Sequence, residues 1–159
     1  MKSLMKNNFF YNIVIIQLLL TVTSFGQYSK ELDQNSLLYP KANSISLNET
    51  FEININLYQD EISITQDQHI ETLYLNETAK HQSKEAISYS YFYEISEIEA
   101  HVHNFDGKKY KSKKVKDFKT KDNLSGSFHD DIKSISFIYP NLEKGAKSSL
   151  QYRTTIKNP

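Results

Sequence analysis

Phe51-Glu52-Ile53-Asn54-Ile55-Asn56-Leu57-Tyr58, then Gln59-Asp60, then Glu61-Ile62-Ser63-Ile64-Thr65, is the stretch whose reading decides the fold. Apolar residues fall on every second position of the first segment, and Ile62 and Ile64 repeat the pattern in the last. Successive side chains of an extended chain point to opposite faces, so a period of two marks a half-buried strand. Gln59-Asp60 is short and polar enough to be a tight turn. The whole stretch therefore predicts a hairpin.

Working outward, the same period recurs. Ile70, Leu73 and Leu75 suggest a third strand, whose alternation slips by one residue as at a bulge. Residues 76–86 have helix-like composition but are few, and are expected to form a loop or one helical turn. Ile87 to Tyr93 is rich in aromatics, which favour strands. Ile98, Ala100 and Val102 alternate with Glu97, Glu99, His101 and His103. Asp106-Gly107 follows as a hairpin turn, with Gly107 at positive φ, and Lys108 to Val115 returns. Residues 119–131 read as a polar, mobile loop. Ile132, Ile135, Phe137 and Tyr139 form a strand that Pro140 ends, and Asn141 to Gly145 turn. Leu150, Tyr152, Thr154 and Ile156 alternate once more. No helix of about ten residues is expected among these segments. Strand after strand with short turns predicts an all-β, antiparallel β-sandwich.

Ahead of this lies a different kind of sequence. Lys2 and Lys6 precede an apolar run from Phe9 to Leu20, and Ser24-Phe25-Gly26 supplies small residues before Gln27. That order is a secretory signal peptide over residues 1–26. The run is too short and interrupted for a comfortable membrane span. Residues 27–43 are expected to be a polar connector and 44–159 the sandwich, so the mature chain is expected to be exported, periplasmic or extracellular. The leader takes two of the 19 basic residues, leaving 17 against 19 acidic ones. Such a balance gives no signal for nucleic acid or a membrane surface. The chain has no cysteine, which excludes a disulfide, a thiol nucleophile and a cysteine zinc site. The sequons at Asn48, Asn76 and Asn123 are read as chance matches in a bacterial composition rich in Asn, Lys and Ile.

Ile98-Glu99-Ala100-His101-Val102 leading into Asn104-Phe105-Asp106-Gly107-Lys108, then Phe137-Ile138-Tyr139-Pro140-Asn141-Leu142-Glu143-Lys144-Gly145, then Leu150-Gln151-Tyr152 form a recognisable series. It resembles the domain of unknown function that precedes transglutaminase-like domains in secreted Bacteroidetes proteins, over about residues 36–159. The resemblance implies a β-sandwich that is non-catalytic and accessory to a downstream transglutaminase-like domain. The structural turns it carries over are Asp106, Gly107, Pro140 and Gly145. It also implies further strands after Tyr152. On that reading the chain is a fragment, truncated at its C-terminus, and its last strand lacks a neighbour. The alternative is a free-standing extracellular module that binds a polysaccharide, such as an envelope glycan, or another envelope partner.

Four constellations invite a sharper reading. His101 and His103 project from one strand face and could chelate a metal, with Glu97 and Glu99 in the same row. If Ala100 and Val102 face the core, however, this row is simply the solvated face. Lys108, Lys109, Lys111, Lys113, Lys114, Lys116, Lys119 and Lys121 crowd fourteen residues against Asp117 and Asp122. They could attract an acidic polymer, but the preferred reading is a lysine-guarded sheet edge. Tyr89, Tyr91 and Tyr93 would share one face of an extended strand and could stack on a sugar or partner. His129, Asp130 and Asp131 near Ser125 and Ser127 suggest a hydrolase, but no Gly-x-Ser-x-Gly elbow accompanies them. The sequence thus gives no catalytic residue, no cofactor, no nucleic-acid partner and no membrane span after leader removal.

Overall fold

The computed structural model describes residues 30–123 and 132–156. Residues 1–26, read as a leader, and the Ser125–Asp131 constellation lie outside the described residues. Helix α1 covers 30–38. Eight strands follow: β1 (Ser44–Tyr58), β2 (Glu61–Tyr74), β3 (Lys84–Ser90), β4 (Tyr93–Phe105), β5 (Tyr110–Lys114), β6 (Lys119–Asn123), β7 (Ile132–Ile138) and β8 (Lys147–Ile156). They form a five-stranded sheet ordered β1-β2-β8-β4-β5 and a three-stranded sheet ordered β3-β7-β6. Every pairing is antiparallel. The protein is an all-β, two-sheet sandwich.

The deciding hairpin forms as read. Gln59 and Asp60 both adopt positive φ, 50° and 65°, in a two-residue turn flanked by the pair Tyr58↔Glu61. Such a turn matches the twist of the strands it joins. The expected half-burial of its apolar row does not occur. Phe51, Ile53, Ile55 and Leu57 are 54%, 61%, 68% and 71% exposed. The reason is reach: β1 and β2 are 15 and 14 residues long, and the strands of the second sheet, five to seven residues each, cover only the other end.

The core sits at that covered end. Tyr74, Ala100, Val102 and Leu150 of the large sheet meet Ile87 and Phe137 of the small one, with Val115 between. Ala100 and Val102 are fully buried. A smaller cluster on the opposite face unites Leu73 and Leu75 with Leu32 of α1, supported by Ala42, Ile45 and Leu47. This second cluster explains the slipped alternation. β2 is one continuous strand and no third strand exists there; Leu73 and Leu75 turn to the helix side, while Tyr74 faces the main core. The irregularity lies in β1, between Ser46 and Asn48.

Other expectations change as well. The connector is helical over 30–38, and Lys147 Nζ lies 2.8 Å from Glu31 Oε2, tying α1 to β8. Residues 119–123 are strand rather than loop, since Thr120 pairs with Ile135. Residues 77–82 form a 3-10 helix capped by Asn76, whose side chain accepts from the Thr78 N–H at 2.9 Å. The triplet read as a sequon is therefore a capping motif. Strand β8 does not lack a neighbour. It lies between β2 and β4, paired along both sides.

Candidate functional site

One concavity gathers the lysines. A crevice of about 810 Å³ is bordered by Lys84, Lys113, Lys114, Lys116, Lys119 and Lys121, with Asp117 as its one acidic residue. Register explains how residues so far apart meet. Lys84 pairs with Ile138, and Lys119 with Ser136. Directly paired residues share a face, and alternation adds Lys121 to it. These five side chains thus line the outer face of the small sheet, while Ile135 and Phe137 turn to the core. The segment 112–117, leaving β5 for β6, supplies the wall. Ile138, 63% exposed, and Pro140 give the lining its apolar part. Five ammonium groups around an apolar surface, those of Lys84, Lys113, Lys116, Lys119 and Lys121, can hold an anion whose body is not itself strongly hydrated.

β5 is also an outer strand of the large sheet, so the lysines occupy a sheet edge and surround a crevice at once. Two of them are engaged: Lys111 Nζ lies 2.9 Å from Asp106 Oδ2, and Lys114 Nζ 2.6 Å from Glu99 Oε1. Lys84, Lys113, Lys116, Lys119 and Lys121 are exposed. The adjoining turn is built as its residues dictate. Gly107 has φ +92°, and Asp106 Oδ1 accepts from the N–H groups of Lys108 and Lys109, both at 2.9 Å. Those bonds and Lys111 hold the Asp106 carboxyl well below the usual carboxylate range. Pro140 follows β7. Gly145, φ 76°, donates its N–H to Tyr74 O at 2.7 Å and so steers the chain into β8.

His101 and His103 lie on the solvated face of β4, their ring centroids 6.2 Å apart. His103 Nε2 is 3.4 Å from Ser149 Oγ, and partial burial with His101 nearby lowers its pKa. The acids of their row are already partnered. Glu99 accepts from Lys114 and from Gln151, and Glu97 Oε1 is 2.6 Å from Arg153 Nη1. Among the described residues no group of three or more His, Asp or Glu is arranged to hold a metal ion.

The tyrosines do not form a row. A turn at Tyr91 and Phe92 separates β3 from β4, because the chain changes sheets there. Tyr91, 62% exposed, meets Phe92 edge-on at 6.3 Å. Tyr89 and Tyr93 instead line a crevice of about 340 Å³ between the sheets with Tyr152 and Ile156.

One cluster escaped the sequence reading. Arg153, the chain's sole arginine, grips Asp67 through Nε at 2.7 Å and Nη2 at 2.9 Å, and reaches Glu97 through Nη1. The register of β4 against β8 shifts between Ser96 and Glu99, and Glu97 has φ 51°. The resulting bulge aims Glu97 at Arg153. The guanidinium beside Asp67 lowers the pKa of that carboxyl. The arrangement clamps β2, β8 and β4 together. The uniqueness of Arg153 was the available signal, but only the fold supplies its partners.

These features define a β-sandwich module with a lysine-rimmed crevice on its small sheet. Its family can be stated as well: residues 62–159 match DUF3857, a domain of unknown function, and the chain belongs to that family. Among curated proteins none matches this sequence. Of solved structures, a protein from Parabacteroides distasonis described as a "putative protease" superposes with a TM-score of 0.58 at 17% identity. The match covers 74% of this chain and 24% of that one. At that identity the likeness shows the fold alone. The chain spans about a quarter of the length of that protein.

Proposed function

We propose that the chain is a non-catalytic module of a larger exported protein, an accessory β-sandwich beside a transglutaminase-like or peptidase domain. The observation that carries this reading is one of proportion. The same fold occupies 24% of a protein described as a "putative protease". The resemblance to domains that precede transglutaminase-like ones supports it, as does the absence of cysteine, which leaves a thiol nucleophile to come from elsewhere. An antibody against residues 44–156, used on fractions of the source cells, tests it. The expected product is periplasmic or extracellular and well above 18.5 kDa. A cytoplasmic product, or one no larger than this chain, overturns the reading.

The lysine crevice favours a second reading, a module that holds an anionic envelope polymer. Titration with polygalacturonate should give salt-sensitive binding that dextran of equal length does not. Replacing Lys113, Lys116 and Lys119 by Gln should remove it. Equal binding of both polymers ends this reading.

A further inference from the structure

Beyond the bulge at Ser46–Asn48, the outer edge of β1 is only lightly guarded among the described residues. Over Ser44–Tyr58 there is no lysine, arginine or proline, only Glu49 and Glu52. Natural sheets normally guard a long exposed edge with such residues. The hydrogen-bonding phase of this edge follows from its turn. In a two-residue hairpin the closing pair, here Tyr58↔Glu61, exchanges both backbone bonds. Alternation then bonds Thr50, Glu52, Asn54 and Asn56 to β2. Phe51, Ile53, Ile55 and Leu57 direct their N–H and C=O groups away from it, to the free side. The same four residues bear the exposed apolar row.

We propose that this edge pairs, antiparallel, with β1 of a second copy about a two-fold axis at Asn54. The register is self-complementary. Ile53 falls opposite Ile55 of the other copy and Phe51 opposite Leu57, each as a hydrogen-bonded pair on one face. On the other face Glu52 meets Asn56, and Asn54 meets itself. No carboxylate faces a carboxylate. A register centred on Ile53 is worse, because it sets Glu49 against Leu57. The contact is isologous and closes on two copies, so it yields a dimer and no fibre. Nine paired residues per copy bury on the order of 1,000 Å² in all, the lower bound for a specific interface. The dimer is therefore a weak one.

The chain's lack of cysteine makes a direct test possible. Asn54 occupies a non-hydrogen-bonded pair with its own copy, where Cα atoms stand about 4.5 Å apart, within disulfide range. The mature chain carrying Asn54→Cys should oxidise to a covalent dimer in native buffer, and far more slowly in urea. Ser112→Cys, on the lysine-bearing β5, should stay monomeric. Sedimentation of the unsubstituted mature chain at about 100 µM should show a reversible dimer. Ile53→Lys should return it to monomer with an unchanged circular dichroism spectrum. A monomer at that concentration overturns the proposal, as does cross-linking no faster at Asn54→Cys than at Ser112→Cys. A dimer that Ile53→Lys leaves intact overturns it too, since the contact would then lie elsewhere.

Discussion

The two outer strands of the large sheet, β1 and β5, face the same physical problem with opposite means. β5 is five residues long, carries Lys111, Lys113 and Lys114, and is anchored by ion pairs to Asp106 and Glu99. β1 is 15 residues long, has no basic residue, and bares Phe51, Ile53, Ile55 and Leu57. A row of ammonium groups makes close approach of another strand costly, whereas an apolar row rewards it. The side near β5 is also where the core sits: Val102, on the neighbouring strand, is fully buried. The difference teaches that alternation marks a strand without saying whether its apolar face is covered.

The largest effect that can break this comparison is in the packing. Leu150→Ala, at a position 7% exposed, should cost about 2–5 kcal/mol in urea melts. Ile55→Ala, at 68% exposure, should change stability by no more than about 0.5 kcal/mol when the protein is dilute. A loss above about 2 kcal/mol at Ile55 would mean that the row is buried after all. Next comes the turn that leads into β5. A Cβ at Gly107 would meet nothing within 4 Å, so Gly107→Ala isolates the conformational cost of φ +92°. It should destabilise by on the order of 1 kcal/mol, and an unchanged urea midpoint would refute a strained turn.

Acid should loosen the β5 side first. Asp106 and Glu99 have pKa values lowered, Asp106 chiefly by backbone N–H groups and Glu99 chiefly by Lys114. A depressed carboxylate stabilises the fold above its unfolded pKa, near about 4, and that stabilisation is lost as pH falls through the folded value. Amide exchange in β5 should therefore rise relative to β4 below about pH 4. Parallel changes in both strands would contradict the assignment. The smallest effect concerns the guard itself. Lys113→Gln should slightly raise association at low salt, seen by light scattering, and no rise at all would leave the lysine without a guarding role.

Much of this was legible in the chain. Fifteen residues with strict alternation and a two-residue turn gave the hairpin. Asp106-Gly107 marked the next one, and the placement of Glu97, Glu99, His101 and His103 opposite Ala100 and Val102 marked the wet face. What could not be read depends on partners distant in sequence. The exposure of Phe51 follows from how far the short second sheet reaches. The tyrosine row fails because the chain changes sheets at Tyr91. The grip of Arg153 on Asp67 spans strands 86 residues apart. The crevice requires Lys84 and Lys119 to meet across β7, which no local pattern states.

The position of β8 has a consequence for the order of synthesis. It is the last of the described strands in chain order and the central one in the large sheet. Until Ile156 has emerged, β1 and β2 form one ribbon, β4 and β5 another, and nothing joins them. Local hairpins form in microseconds, but the sheet must wait for its most distant contacts. A growing chain therefore remains two loose ribbons until β8 has been made.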